Sequence, residues 1–200
     1  MARLTSEERR DAIVDSALTV ARRKGLATTT VRDVAAEMGT SSGLVHHYFD
    51  SMDDVLAEAF ARAARIDLQH VTTAVESANA PAEAMKAFFD SYAPADSDWT
   101  FQLWLDAWSE AARRPALRET SVKLNVAWQE LVAGIISEGV EAHVFICPDP
   151  GAAAWRIISL LDGLVLQVVA HRTTLDRATM LRWARERTEV ELSLDPGSLG

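Results

Sequence analysis

Residues 41–48 read Ser-Ser-Gly-Leu-Val-His-His-Tyr, a run of hydroxyls and imidazoles with no lysine, arginine or carboxylate. Ser41, Ser42, His46 and His47 are of the types that donate to base edges and phosphate oxygens, and Leu44 suits a thymine methyl. Protonation adds a donor to each histidine, so a contact made through His46 or His47 is expected to be pH-sensitive. Around this pair no cysteine or carboxylate falls at ligand spacing, which argues against a metal site. Thr29, Thr30, Arg32, Tyr48 and Ser51 flank or end the run and are the candidates for holding a phosphate backbone in register, and Gly43 within it is a further DNA-binding candidate. A second group has different chemistry. Phe101, Trp104 and Trp108 recur at helical spacing, and Trp128, Trp155 and Asp162 follow, the last two seven residues apart. Aromatic faces beside a carboxylate suit a cation or a planar ligand, whereas the plainer readings are a filled core and an aspartate bonded to a neighbouring helix or facing solvent. No Ser/His/Asp or Cys/His grouping, H-E-x-x-H or phosphate-binding glycine loop is recognisable, so a helical enzyme is the remote reading and no cofactor is implied. Lone His70, His143 and His171 read as surface or hydrogen-bonded residues.

The elements that position these groups are helical throughout. Thr30 can cap a helix whose Val31, Val34, Ala35 and Met38 share a face, and Gly39 ends it without a Cβ penalty. Ser41 can cap the next helix, 42–48, which turns Val45 and Phe49 inward. Residues 30–49 thus have the form of a helix-turn-helix, whose second helix enters the DNA major groove. Upstream, a helix over 6–24 is capped by Thr5 or Ser6 and stopped by Gly25. Downstream, helices are predicted over 51–75, 81–92, 99–113, 115–143, 150–171 and 177–191. Breaks at Asn79-Ala80-Pro81, at residues 94–98 and at 144–149 separate them, and 192–200 is expected to fray. The fold class is all-α, about nine helices: a DNA-binding domain over 1–50 and a helical ligand-binding and dimerisation domain over 51–200.

Thr30, Val34, Ala35, Gly39, Ser41, Gly43, Val45, Tyr48, Phe49 and Ser51 stand where the TetR/AcrR family of one-component transcriptional regulators carries T-x-x-x-I-A-x-x-x-G-V-S-x-G-x-L-Y-x-Y-F and the turn after it. About the first sixty residues resemble that family's DNA-binding head. Three positions depart: Ser42 and Met52 stand where lysines are common, and His46 where a tyrosine is common. Losing two cations weakens the counterion-release contribution to affinity. The body is similar to the BetI-like subset, through Leu103-Trp104-Leu105-Asp106-Ala107-Trp108, Arg113-Arg114-Pro115 and Leu160-Leu161-Asp162-Gly163-Leu164. In that family the helix carrying Trp104 borders the effector cavity, and the name-giving branch responds to choline. The resemblance implies a homodimeric, ligand-responsive regulator, a repressor released from a palindromic operator by a small molecule such as a lipophilic or quaternary cation. A body that only dimerises or docks a protein is the alternative.

Composition agrees. The net charge of −9 opposes nucleic acid, but residues 1–50 hold seven basic and seven acidic side chains, so the whole excess lies in the body. An acidic body leaves the neutral head as the tolerable contact surface, supplemented by Arg3, Arg9 and Arg10. Two hundred residues bury ample core without a staple, and the single Cys147 fits a reducing cytoplasm. No signal peptide is recognisable. The apolar stretch 152–170 has the length of a membrane span, yet Arg156 and Asp162 interrupt it, so an interface helix is expected and no membrane partner. By the resemblance, the last two helices form the dimer seam, with Leu160, Leu161, Gly163, Leu164 and Val168 facing Met180, Leu181, Trp183 and Ala184.

Overall fold

The computed structural model describes residues 5–94 and 98–200; the sequence reading of Arg3, and residues 95–97 of the break expected at 94–98, lie outside them. Nine α-helices and one π-helical turn are described, with no strand among the described residues. They are α1 (Ser6–Lys24), α2 (Val31–Glu37), α3 (Ser42–Tyr48), α4 (Met52–Glu76), α5 (Pro81–Tyr92), α6 (Asp98–Ala111), α7 (Pro115–Glu141), α8 (Pro150–Val165) and α9 (Arg177–Glu191).

Local chemistry explains most boundaries. Thr5 and Thr30 each close a capping box, with Glu8 and Asp33 respectively, satisfying orphan amides at the starts of α1 and α2. Pro81 and Pro150 sit in first turns, where a missing N–H costs nothing, and Asp149 and Asp176 cap α8 and α9 through the amides of Ala152 and Thr179.

Packing divides the chain into two compact units. The first joins the N-terminal residues, through Arg65, to 99–124, so α6 and the start of α7 cluster with the helix-turn-helix. Ile13, Val14 and Ala17 of α1, Val34 and Ala35 of α2, Val45 of α3, Phe49, and Val55 and Ala59 of α4 form one buried cluster. Leu18, Val31, Met38, Tyr48 and Met52 close its rim. Between Val55 and Ala64, α4 is apolar nearly all round and is buried accordingly. Charged groups tie its outer side to α1: Arg10 pairs with Glu58, and Arg62 with Asp11 and Asp15.

The second unit comprises 66–98 and 125–200. Met85, Phe88 and Phe89 of α5, Val132 and Ile136 of α7, Ile157, Ile158 and Leu161 of α8, and Met180 and Ala184 of α9 are buried. Gly139 is required by close approach, because a Cβ there would stand 2.0 Å from the Phe145 ring. Two sequence expectations are corrected here. The last turn after α8 is not α-helical: it widens to a π-helix, Leu166–Ala170, where His171 N–H reaches back five residues to Leu166 O at 3.1 Å. The adjacent β-branched Val168 and Val169 weaken α-helical preference there. The tail beyond α9 is also ordered rather than frayed. Leu192 and Leu199 are buried, and the buried Glu189 carboxylate accepts the amides of Gly197 and Leu199 at 2.9 and 2.8 Å.

Candidate functional site

The head is built from the corner at Gly25 outward. Thr29 N–H donates to Leu26 O, and the Thr29 hydroxyl to Gly25 O at 2.8 Å, closing the turn before α2. At 3 % exposure with both donors engaged, Thr29 is a structural residue and does not fit the phosphate-anchoring role read from the sequence. Thr30 is exposed and receives the Asp33 amide while Asp33 accepts the Thr30 amide. Lys24 donates to Asp33 at 2.6 Å; that bond first, then those from Thr30, hold the carboxyl down at about 2. Arg32 is exposed on α2.

Gly39 turns the chain with φ +65°, a left-handed backbone that a side chain would strain. Ser41 has N-cap geometry, but its hydroxyl makes no cap bond, contrary to the sequence expectation. That leaves the hydroxyl available to a partner. On α3, Val45 is buried; Gly43, His46 and His47 are exposed; Ser42, Leu44 and Tyr48 are half-buried. Tyr48 packs on the core rim with the His47 ring at 5.0 Å, edge to face. Ser51 caps α4, its hydroxyl accepting the Asp54 amide at 3.2 Å and donating to the Asp54 carboxylate at 2.7 Å. Arg10 is committed as well: it pairs with Glu58 and lies 4.3 Å over the Phe49 ring, so it braces α3's end rather than serving as a free surface cation.

The predicted ligand residues fall in two places, each described within its own unit. In the first unit Trp104 is buried, edge-on to Phe60 at 4.8 Å and 5.6 Å from Trp108; Phe101 and Trp108 are half-buried. In the second unit Trp128 is buried against Tyr92 at 5.7 Å and Phe88 at 6.5 Å. The Tyr92 hydroxyl donates to Asp162 at 3.5 Å, a long contact. Burial pushes the Asp162 carboxyl up to about 6, against the smaller lowering effect of the tyrosine. Tyr92 is in turn raised well above its ordinary value, first by burial and then by the Asp162 charge. Sequence reading missed Phe88 and Tyr92; their spacing of four on α5 was the available signal. Trp155 is 43 % exposed, on the outside of α8 rather than among buried aromatic rings.

The expected dimer residues also divide. Leu161, Met180 and Ala184 are buried within their own chain and so are core, a correction to the sequence reading. Leu160, Leu164, Val168 and Leu181 are half-buried, Gly163 is exposed with open space where a Cβ would stand, and Trp183 is 46 % exposed. Val190, at 65 %, adds an apolar position seven residues beyond Trp183 on α9. The 21-residue stretch Pro150–Ala170 is long and apolar enough to cross a membrane by length and composition; Arg156 and Asp162 interrupt it.

Two short helices hinged at a glycine turn, the second presenting uncharged donors, define a helix-turn-helix DNA-binding class within an all-α chain. Residues 13–59 match the tetR family of bacterial regulatory proteins, and residues 81–193 the C-terminal region of BetI-type transcriptional repressors. The transcriptional regulator BetI of Paraburkholderia xenovorans is 29 % identical, over 94 % of this chain and 95 % of its own. That of Agrobacterium fabrum is also 29 % identical, over 94 % and 90 %. Among solved structures, a transcriptional regulator from Pseudomonas aeruginosa PAO1 superposes with TM-score 0.81 at 22 % identity, covering 98 % of this chain and 95 % of that one. A regulator from Saccharomonospora viridis, in complex with choline, gives 0.81 at 24 %, covering 92 % and 96 %. The chain belongs to the tetR family of bacterial transcriptional regulators, with a BetI-type C-terminal region. The family is not enzymatic.

Proposed function

We propose that the protein is a cytoplasmic, homodimeric repressor that leaves a palindromic operator when a small cation binds its body. Ser41, Ser42, Leu44, His46 and His47 read base edges, with Gly43 keeping the helix close to the groove. Thr30, Arg32, Tyr48 and the start of α4 at Ser51 hold phosphates. The exposed and half-buried remainder of the α8–α9 face, with Gly163, Leu164, Trp183 and Val190, is the seam to a second copy. Two-fold symmetry then sets two copies of α3 on successive major grooves.

The observation that carries the effector class is Asp162: a half-buried carboxylate bonded to Tyr92, whose ring packs on Trp128, and whose described partner is a neutral hydroxyl rather than a cation. An anion partly withdrawn from water without a counter-charge is costly, and a quaternary or lipophilic ammonium supplies the charge while the rings supply cation–π faces. Choline in the Saccharomonospora relative supports the same class. The ligand acts by favouring a spacing of the two heads that no longer fits the operator. Its coupling equals its affinity difference between the two spacings, typically about 1–3 kcal/mol.

Tryptophan fluorescence titration with choline and longer-chain quaternary ammoniums tests this reading. Saturable quenching that is lost in Asp162→Asn supports it. The burial of Trp104 and Trp128 favours a second reading, a solid body that only dimerises; fluorescence unmoved by any of these cations would select that one.

A further inference from the structure

The corner that launches the helix-turn-helix is held from outside by one side chain. Past the C-terminal end of α1, the Leu26 amide donates to Oδ2 of Asp106 on α6 at 2.9 Å. The other carboxylate oxygen accepts Gln102 Nε2, one helical turn earlier, at 3.0 Å, so the carboxylate is fixed at both oxygens. Gly25 makes the approach possible: its φ is +88°, and a Cβ there would stand 3.2 Å from the same Asp106 oxygen. Beside this bond Arg22, in the last turn of α1, lies 4.7 Å over the Trp99 ring of α6. In the described polar bonds the segment from Gly25 to Thr30 is otherwise tied to α1 through Gly25 to Ala21 and Thr28 to Lys24, to itself through Thr29 to Gly25, and to α2 through Thr30 to Asp33. It runs directly into the α2 cap. The Asp106 bond is half-exposed and borders a cleft of about 80 Å³ lined by Ala21, Arg22, Trp99 and Leu103. Water competes for it there, so it fixes direction more than it adds stability.

We propose that Asp106 is a positioning residue for DNA recognition: by gripping the Leu26 amide it sets the angle at which the helix-turn-helix leaves α6, and through the dimer the separation of the two recognition helices. This rests on the regulator reading above. Loss of the grip leaves a folded head with a looser angle. The head then tolerates operators whose half-sites are wrongly spaced, where the wild type rejects them.

The test begins with a duplex selected from a random pool by the wild-type full chain, followed by variants of that duplex with one base pair added or removed between half-sites. The wild type should lose about tenfold or more in affinity per altered spacing, comparable to a mismatched base pair. Asp106→Ala should bind the selected site several-fold more weakly and discriminate between spacings by about threefold or less, and Asp106→Asn, which keeps an oxygen acceptor, should restore discrimination. Weaker binding with wild-type discrimination is what a merely structural role gives, and overturns the proposal. If Asp106→Ala does not fold, Leu26 amide exchange in Asp106→Asn takes its place. A Leu26 amide in Asp106→Asn exchanging as fast as the unfolded chain while discrimination stays intact overturns it equally. A wild type that selects no duplex overturns the regulator reading itself, before any variant is made.

Discussion

In the proposed effector site, Asp162 trades stability for binding. An ordinary aspartate titrates near 3.8, and burial raises this one to about 6. The folded chain therefore holds the proton more tightly than the unfolded chain between those values. Stability falls as pH rises from about 4 to 6, and the full cost is present above 6. Asp162→Asn removes that cost. At pH 7.5 the ligand-free variant should be more stable than wild type by on the order of 1–3 kcal/mol in urea denaturation, while losing cation affinity. In the wild type, cation affinity should weaken about tenfold on lowering the pH from 7 to 5, because the neutral acid offers no counter-charge. A flat affinity over that range, or a destabilised Asp162→Asn, would remove Asp162 from the site. Asp162 and Trp128 were legible as candidates because acid and indole are conspicuous types. Phe88 and Tyr92 were not, since an aromatic in an amphipathic helix looks like core until its neighbours in space are known. Thr29 illustrates the opposite error: hydroxyl type suggested a phosphate contact, whereas the tight turn at Gly25 required that hydroxyl internally.

Elements were most legible where a cap or a breaker fixes them locally. The bounds of α1 and the turn before α3 follow from Thr5, Gly25 and Gly39, all readable from side-chain chemistry and φ preference alone. What escaped depends on distant partners. The tail after α9 is polar enough to suggest fraying, yet Glu189 organises it by accepting two of its amides. Glu189→Ala should leave those donors unsatisfied and destabilise the protein by about 2 kcal/mol or more; a change below about 0.5 kcal/mol would mean that the tail adds nothing. Gly139→Ala must push against the Phe145 ring and should cost about 1–3 kcal/mol, with a lowered thermal midpoint as the readout. The π-helical turn after Asp162 was invisible for another reason: one residue of excess in a helix leaves the apolar pattern almost unchanged.

For the whole molecule, burial separates folding residues along α8 and α9 from those of the proposed seam. Leu161→Ala should destabilise each chain by about 2–5 kcal/mol and leave association unchanged wherever the chain still folds. Trp183→Glu should do the reverse, giving a folded monomer by sedimentation; a persisting dimer would move the seam away from α9. The acidic excess of residues 51–200 makes the same point electrostatically, since only the charge-balanced head can approach a polyanion closely. The most direct measurement is footprinting of the DNA upstream of the protein's own gene at low ionic strength, with wild type beside Tyr48→Ala. Protection of a two-fold symmetric segment by wild type, lost in a variant that still dimerises, is the expected result. Bare DNA under wild type, or undiminished protection under Tyr48→Ala, would contradict the placement of α3 in the groove.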